Sequence, residues 1–383
     1  MSGPGTPRRT ACVDCLRRSW LIAGLAPFIQ QACDDRAGRR VPELLRLEGR
    51  ELAAAMAPRQ ADRIVGEIGD MSEDLLNERL EGAGCWAFCR HDDGFPDGLR
   101  DGADAPHALI GRGAAFALSE VRVDDSATVV GARRASGYGL EVARRLGGEL
   151  AGAGLTVVSG MALGIDGAVH RGALSNGRAV AVLACGPERP YPASHRGLYG
   201  GLLESGLIVS EMPPGAGVWR WAFPARNRIM AALSQITVVV EAAARSGSLI
   251  TAEMAADAGR EVGAVPGQVT SGSAAGTNEL IASGAALIRD GRDVLDRAVG
   301  VGAAMPEVFG PDPGPAGAAV LGAVEGGCET VDRIAGQLNA GSDDIAAGLA
   351  RLEVLGYLRC SIGGTWFRTG LKAPYPSNPD AGK

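Results

Sequence analysis

The chain has 383 residues, of which 46% are hydrophobic and 21% charged, and a formal net charge of −6. That length allows two or three domains, each with its own core, and the composition excludes disorder over most of the chain. The acidic balance argues against a protein that coats duplex DNA by bulk charge, though not against a local groove.

Taken from the start, residues 1–15 (beginning MSGPGTPRR) read as a loose tail. Residues 16–90 follow with apolar positions at helical spacing: Leu16, Trp20, Leu21 and Leu25, then Leu44, Leu45 and Leu52, then Ile64, Ile68, Leu76 and Leu80. This pattern predicts a small helical module of the SAM or helix-hairpin-helix kind. Cys12 and Cys15 form a C-x-x-C, and Cys85, Cys89 and His91 could in principle complete a zinc site. The second half does not repeat the first spacing, and buried cysteines are common in Ala/Gly-rich cores, so no metal ligand is assigned. The stretch from Cys89 to Gly113 is dense in Asp, Gly and Pro and leads to a short edge strand at His107 to Ile110.

Residues 105–300 alternate short apolar runs with segments of helical length: TVVGAR, LTVVSG, AVAVLACG, GLIVSEMP, ITVVVEA, EVGAVPG and AALIR. Continuous apolar runs of this size predict strands buried on both faces, hence an α/β fold with a doubly wound (Rossmann-like) parallel sheet. Residues 301–317 are a Pro/Gly linker. Residues 318–370 predict three helices and a hairpin around Ile362, Gly363 and Gly364, a winged-helix-like module, and 371–383 are a second tail. The third helix of that module carries Arg351 against Asp343, Asp344 and Glu353, which favours a protein contact over DNA. No segment has the roughly 18 consecutive apolar residues of a membrane span, and the start lacks a charged-then-apolar leader, so a cytoplasmic location without membrane contact is expected.

Lysine occurs only at Lys372 and Lys383. Codon bias accounts for this, and its chemical consequence is that a Walker-type loop and a lysine-dependent lyase are both disfavoured. Between residues 128 and 298 there are 16 Arg and no Lys against 14 acidic residues, so the middle of the chain is less acidic than the whole.

Four glycine-rich or arginine-rich turns in that region converge on one predicted crevice at the carboxyl ends of the strands, where backbone N–H groups and helix N-termini favour phosphate. In VVGARRASGYG, Gly131 permits close approach and Arg133 offers a planar donor fork, whereas Arg134 reads as a solvated turn residue; the helix starting near Ser136 is expected to aim its positive end at the crevice. In SGMALGIDGAVHRG, Ser159 and Gly160 stand at a strand end, Asp166 is expected to cap a helix and His170 to be packed rather than basic in function. In WAFPARNRIM, Phe223, Arg226, Asn227 and Arg228 place a ring, two guanidinium groups and an amide within one helical turn, suited to stacking on a base while pairing with its phosphate. In EAAARSGSLITAEMA, Glu241 ends a strand and Ser246, Gly247 and Ser248 form a further cradle. No residues are arranged as nucleophile, base and orienter, so no catalytic residue and no cofactor is expected.

In this order and spacing the chain resembles the DNA processing protein A (DprA/Smf) family, whose pattern runs GTR…YG, SGLARGID…H, YP, SE-x-PPG, FP-x-RNRII, VVVEA…SGSLITA and AVPG…GTN-x-LI-x-x-GA. The counterparts here are GAR…YG, SGMALGID…H, YP, SEMPPG, FPARNRIM, VVVEAAARSGSLITA and AVPG…GTNELIASGA, over about 170 residues. The resemblance implies a single-stranded DNA-binding protein, not an enzyme, that protects incoming or processed strands and helps load the RecA recombinase in natural transformation or homologous recombination. It also implies a homodimer, and it places Arg133, Ser159, Gly160, Phe223, Arg226, Asn227, Arg228, Ser246, Gly247 and Ser248 at the DNA site. Two positions depart from the pattern: Leu163 stands where arginine is common, and His195 where asparagine is common.

Two rival readings use the same crevice. A phosphoribohydrolase of the lysine-decarboxylase-like type would carry a PGG-x-GT-x-x-E signature, whereas here the carboxylate of Glu241 precedes the loop. A nucleotide sensor would bind mononucleotides and gain little from longer oligomers.

Overall fold

The structure, a computed structural model, describes residues 11–35, 41–100, 102, 104–113, 118–175, 178–302, 310–361, 363–369 and 371–373. Residues 1–10 and 374–383 of the expected tails, 303–309 of the linker, and Ile362 lie outside them. The chain divides into two compact units, Met1–Ala304 and Met305–Lys383.

The first unit opens with α1 (Val13–Asp35), α2 (Val41–Leu45), α3 (Gly49–Met56), α4 (Ala61–Gly69) and α5 (Glu73–Gly82). Helix α1 starts inside the stretch expected to be a tail. The reason is packing: Ala11, Cys15 and Leu16 are buried with Leu76, Leu80, Ala108 and Ile110 in one apolar cluster. Helix α5 begins where Ser72 accepts the Leu75 N–H at 3.2 Å, which satisfies one of the free donors of its first turn.

The sheet follows, in chain order β1 (Trp86–Cys89), α6 (Asp97–Arg100), β2 (Ala108–Gly113), β3 (Ser126–Val130), α7 (Gly137–Gly152), β4 (Thr156–Ser159), α8 (Ile165–Ala173), β5 (Ala179–Leu183), α9 (Arg196–Ser205), β6 (Leu207–Ser210), α10 (Ala222–Ala232), β7 (Ile236–Val239), α11 (Gly247–Asp257), β8 (Glu261–Ala264), α12 (Ala275–Ala282), β9 (Ala286–Leu287) and α13 (Gly291–Ala298). The strands line up as β1-β2-β6-β5-β4-β3-β7-β8-β9. The seven from β3 to β9 are parallel, as expected of buried apolar runs, and β1 and β2 add an antiparallel edge. Strand β1 lies within the stretch expected to be helical. The N-terminal helices are therefore not a separate body: α1 and α5 pack on β1 and β2, and α1 to α4 bury Trp221, Ala222 and Ala225 of the α10 region.

The chain runs from β3 outward to β6, then returns to place β7 on the other side of β3. This reversal is the switch point at which open α/β sheets hold ligands, outside the carboxyl ends of the strands. Val130, Val158, Val182 and Val239 share a core with Ile229 and Met230 of α10, and Ala252 of α11. Helices α7 and α8 cross closely elsewhere on the sheet: a side chain on Gly172 would run into the backbone carbonyl of Arg144.

Helix α10 is pinned from two sides. The Trp221 indole N–H donates to the Ala26 carbonyl at 3.1 Å. Arg228 donates to both carboxylate oxygens of Glu211 at 2.8 Å and to the Asp104 carbonyl at 2.8 Å, with Arg228 and Glu211 only 5% and 8% exposed.

The second unit contains α14 (Gly314–Glu325), α15 (Val331–Leu338), α16 (Ser342–Val354) and the antiparallel pair β10 (Leu358–Cys360) and β11 (Trp366–Arg368). Three helices followed by a hairpin is the order expected of a winged-helix-like module. Its core gathers Val320, Ile334, Leu349 and Leu352 around Tyr357, whose hydroxyl donates to the Pro311 carbonyl at 2.5 Å.

Two stability predictions follow from these contacts. Replacing Glu211 by Gln leaves a buried guanidinium without its counter-charge and should cost about 3 kcal/mol or more by urea unfolding, while joint Glu211→Met and Arg228→Met replacement should recover most of the loss. His170 in α8 is fully buried, and burial pushes its imidazole down to about 3. The unfolded chain, with an ordinary histidine near 6.5, takes up that proton first, so the stability contribution is complete above about pH 6.5 and falls by up to about 1.4 kcal/mol per pH unit below it. His170→Gln should flatten that part of the pH profile; equal slopes for the two proteins would contradict it.

Candidate functional site

Strands β3 and β7 stay paired beyond their regular ladder. The Val240 N–H donates to the Val130 carbonyl at 3.0 Å and the Ala132 N–H to the Glu241 carbonyl at 2.7 Å. The two loops then separate and open a crevice of about 780 Å³.

Each wall comes from one of the turns singled out in the sequence. The turn after β3 contributes Gly131, Arg133 and Arg134, the loop after β4 contributes Ala162 and the first turn of α8 Asp166, and α10 contributes Phe223, Arg226 and Asn227. The start of α11 contributes Ser246, Gly247 and Ser248, with Arg245 just before them. Among the described residues, five arginines, 133, 134, 220, 226 and 245, line the crevice against a single carboxylate, Asp166. A chain of net charge −6 thus concentrates positive charge at one place.

Two aromatic rings stand in this charged wall. The rings of Tyr191 and Phe223 lie 5.7 Å apart at 43°, and the Arg133 guanidinium covers the Phe223 ring at 4.9 Å. This is a cation–π contact. Pro224 sits in the first turn of α10, where a missing N–H costs nothing, so the helix can begin directly at the ring.

Arg226 is the floor rather than the wall. It is 6% exposed and donates to the carbonyl of Gly160 at 2.8 Å and to that of Val182, tying together the ends of β4 and β5. Its ring-like approach requires glycine at 160, since any Cβ there would overlap the guanidinium. Burial pushes Arg226 down to about 10, offset by the charge of Asp166. Burial likewise pushes the Asp166 carboxyl upward, against the pull of Arg226.

Asp166 does not cap α8 in the expected way. Its carboxylate accepts the N–H groups of Gly160 at 3.2 Å and Ala162 at 3.4 Å, in the loop before the helix. Between those two residues Met161 adopts φ 53°, a left-handed conformation unusual for a residue with a side chain, and its carbonyl lies 3.1 Å from His195 Nδ1. Asp166 and His195 therefore hold a strained loop at the crevice edge. Leu163, 45% exposed, belongs to the same loop.

Three expected site residues lie off the crevice. Ser159 is fully buried and donates to the Val129 carbonyl at 2.7 Å. Gly160 is beneath the surface, under Arg226. Arg228 points from α10 to the buried Glu211, because successive helical residues diverge by about 100° and only one of the two arginines in RNR can face the crevice region. The N-terminus of α7 is not open either: Glu241 accepts the Ser136 N–H at 3.1 Å and its hydroxyl at 2.5 Å, placing the protein's own carboxylate there. The open helix end is that of α11, where the Ser246 hydroxyl accepts the Ser248 N–H at 3.4 Å.

Arg134, read from sequence as a solvated turn residue, is exposed and also lines the crevice. Tyr191, Arg220 and Arg245 were not assigned to the site from sequence. Arg245 had a usable signal, since it directly precedes the SGS cradle; Arg220 had none, being placed by the packing of Trp221.

Residues 86–299 match the model of the family described as DNA recombination-mediator protein A. The chain is 41% identical over 264 residues to the putative DNA processing protein DprA of Mycobacterium tuberculosis, covering 65% of this chain and 67% of that protein. It is 40% identical over 210 residues to DNA processing protein DprA of Streptococcus pneumoniae, covering 55% and 73%. The X-ray structure of the S. pneumoniae protein superposes with a TM-score of 0.58 at 31% identity, covering 74% of this chain and 95% of that one. The matched segment takes in every wall of the crevice, and the chain belongs to the DNA recombination-mediator protein A family.

Proposed function

We propose that the crevice binds single-stranded DNA and that the chain acts as a binder rather than an enzyme. In this reading it protects incoming or processed strands and assists loading of the RecA recombinase, in natural transformation or homologous recombination, as a cytoplasmic homodimer. Among the described residues, no helix is long and apolar enough to cross a membrane.

The observation that carries the reading is the combination of five arginines with the Tyr191 and Phe223 rings around one crevice. Arginines pair with successive phosphates, and the rings offer faces on which any base can stack. The S. pneumoniae and M. tuberculosis relatives carry DNA processing names, which fits the same chemistry. A hydrolase would need a free carboxylate or base at the phosphate loop, whereas Asp166 is engaged by backbone amides.

Position around the crevice supports an assignment of roles. Arg133, Arg134 and Arg245 are exposed and are assigned to phosphates, Phe223 and Tyr191 to bases, and Gly131, Asn227 and the cradle of Ser246, Gly247 and Ser248 to the backbone of the strand. Arg226 acts as a fixed charge below them, and Ser159, Gly160 and Arg228 shape the site.

The test is fluorescence anisotropy with an oligo-dT of about 30 nucleotides across a salt series. Arg133→Ala and Arg245→Ala should each weaken binding and flatten the log–log salt slope by about 0.7, while Arg63→Ala, on α4 and outside the residues that line the crevice, should leave it unchanged. Phe223→Ala should lower affinity by about 1–3 kcal/mol with the slope retained. Binding of mononucleotides that gains nothing from added length would overturn the reading in favour of a nucleotide-binding protein.

A further inference from the structure

Four side chains that the crevice does not use converge where α1 begins and β1 ends. Cys12 and Cys15 stand at the start of α1; Cys89 closes β1, and His91 lies in the turn after it. The Nδ1 atom of His91 lies 3.6 Å from the sulfur of Cys12, 3.6 Å from that of Cys15 and 3.8 Å from that of Cys89. All four ligand atoms fall within 4.8 Å of one another, and none of the three thiols is in a disulfide.

Those separations match the edges of a coordination tetrahedron. With Zn–S near ~2.3 Å and Zn–N near ~2.0 Å, tetrahedral angles put S···N edges at about 3.5 Å and S···S edges at about 3.8 Å. A dithiol redox pair needs only Cys12 and Cys15, and it leaves unexplained a third sulfur and an imidazole nitrogen at the same spacing.

The surroundings also suit bound thiolates. The Cys12 N–H points at the Cys89 sulfur at 3.5 Å, the type of outer hydrogen bond that steadies a metal-bound sulfur. The Cys89 N–H donates to Asp92 Oδ2 at 2.6 Å and the Asp92 N–H returns to the Cys89 carbonyl at 2.9 Å, which holds the turn that carries His91. Cys85, the other cysteine considered from sequence, is buried nearby, but its sulfur is directed to the Ala83 carbonyl at 3.6 Å and is not part of the group.

We propose that Cys12, Cys15, Cys89 and His91 bind one zinc ion in a structural site that fastens the start of α1 to the end of β1. Three thiolates and an imidazole are a donor set that suits zinc, and four protein ligands leave no position for a substrate. The two pairs of ligands are separated in sequence by the rest of α1 and by α2 to α5, so the ion closes a long loop and couples the folding of these helices to the sheet edge. The inference is independent of the DNA reading.

The test uses the full chain, produced in zinc-supplemented medium and freed of any affinity tag, with elemental analysis and cobalt substitution. One zinc per chain is expected, and the cobalt form should show the strong visible bands of a tetrahedral thiolate site. Cys89→Ser and His91→Ala should lose the zinc, whereas Cys85→Ser should retain it. His91→Cys, at an exposed position, should also retain it as a four-thiolate site, which guards against reading misfolding as ligand loss. In the wild type, chelation should free three further thiols for reaction. Wild-type protein that holds no zinc and shows no cobalt bands, that carries iron instead, or that contains a Cys12–Cys15 disulfide would overturn the proposal.

Discussion

The parallel pairing of β3 with β7, and its end just beyond Ala132 and Glu241, is the constraint on which the rest of the molecule depends. Two neighbouring strands whose connections leave in opposite directions must part at their carboxyl ends, and the gap cannot be filled by the turns themselves. A side chain on Gly131 would run into Ile165 and the Glu241 carbonyl, so glycine there lets the turn after β3 pack against α8 at the rim of that gap. The arginines then gather around it, because the turn after β3, the start of α10 and the approach to α11 each carry one or more.

Burying Arg226 under this gap is the costly step. A guanidinium almost fully removed from water has to be matched by acceptors, and the Gly160 and Val182 carbonyls and the charge of Asp166 provide them. The same arrangement does three things at once: it locks the ends of β4 and β5, it holds the Asp166 loop in register, and it sets a permanent positive charge below the exposed arginines. Stability and the electrostatics of the crevice are thus parts of one network, whereas Arg228, on the same helix, is paired with the buried Glu211.

The N-terminal helices act as a buttress for α10. Trp221 inserts among them, and Gln30 accepts the backbone N–H of Arg220 at 3.0 Å, so the position of an arginine at the crevice depends on a helix nearly two hundred residues earlier in the chain. At the other end of those helices the cysteine and histidine group joins α1 to β1. The helical stretch is therefore bound to the sheet at two places, which explains why it forms one compact unit with it.

Much of this was determined by sequence alone. Short Val-rich runs that end in glycine or serine turns have few solutions other than buried parallel strands, and the ordered turns with Gly131, Arg133, Phe223 and Ser246 to Ser248 already pointed to one edge of the sheet. What needed the tertiary structure was the direction of each side chain and the partner it met. The R-N-R spacing cannot say which arginine turns toward the crevice, because that depends on how α10 is rotated by Trp221 and by the Arg228–Glu211 pair. Strand β1 is only four residues long and has strand character only because β2 lies beside it. Sequence could name Cys85, Cys89 and His91 as partners for Cys12 and Cys15 but could not choose among them, since metal-binding geometry is a property of distance in space.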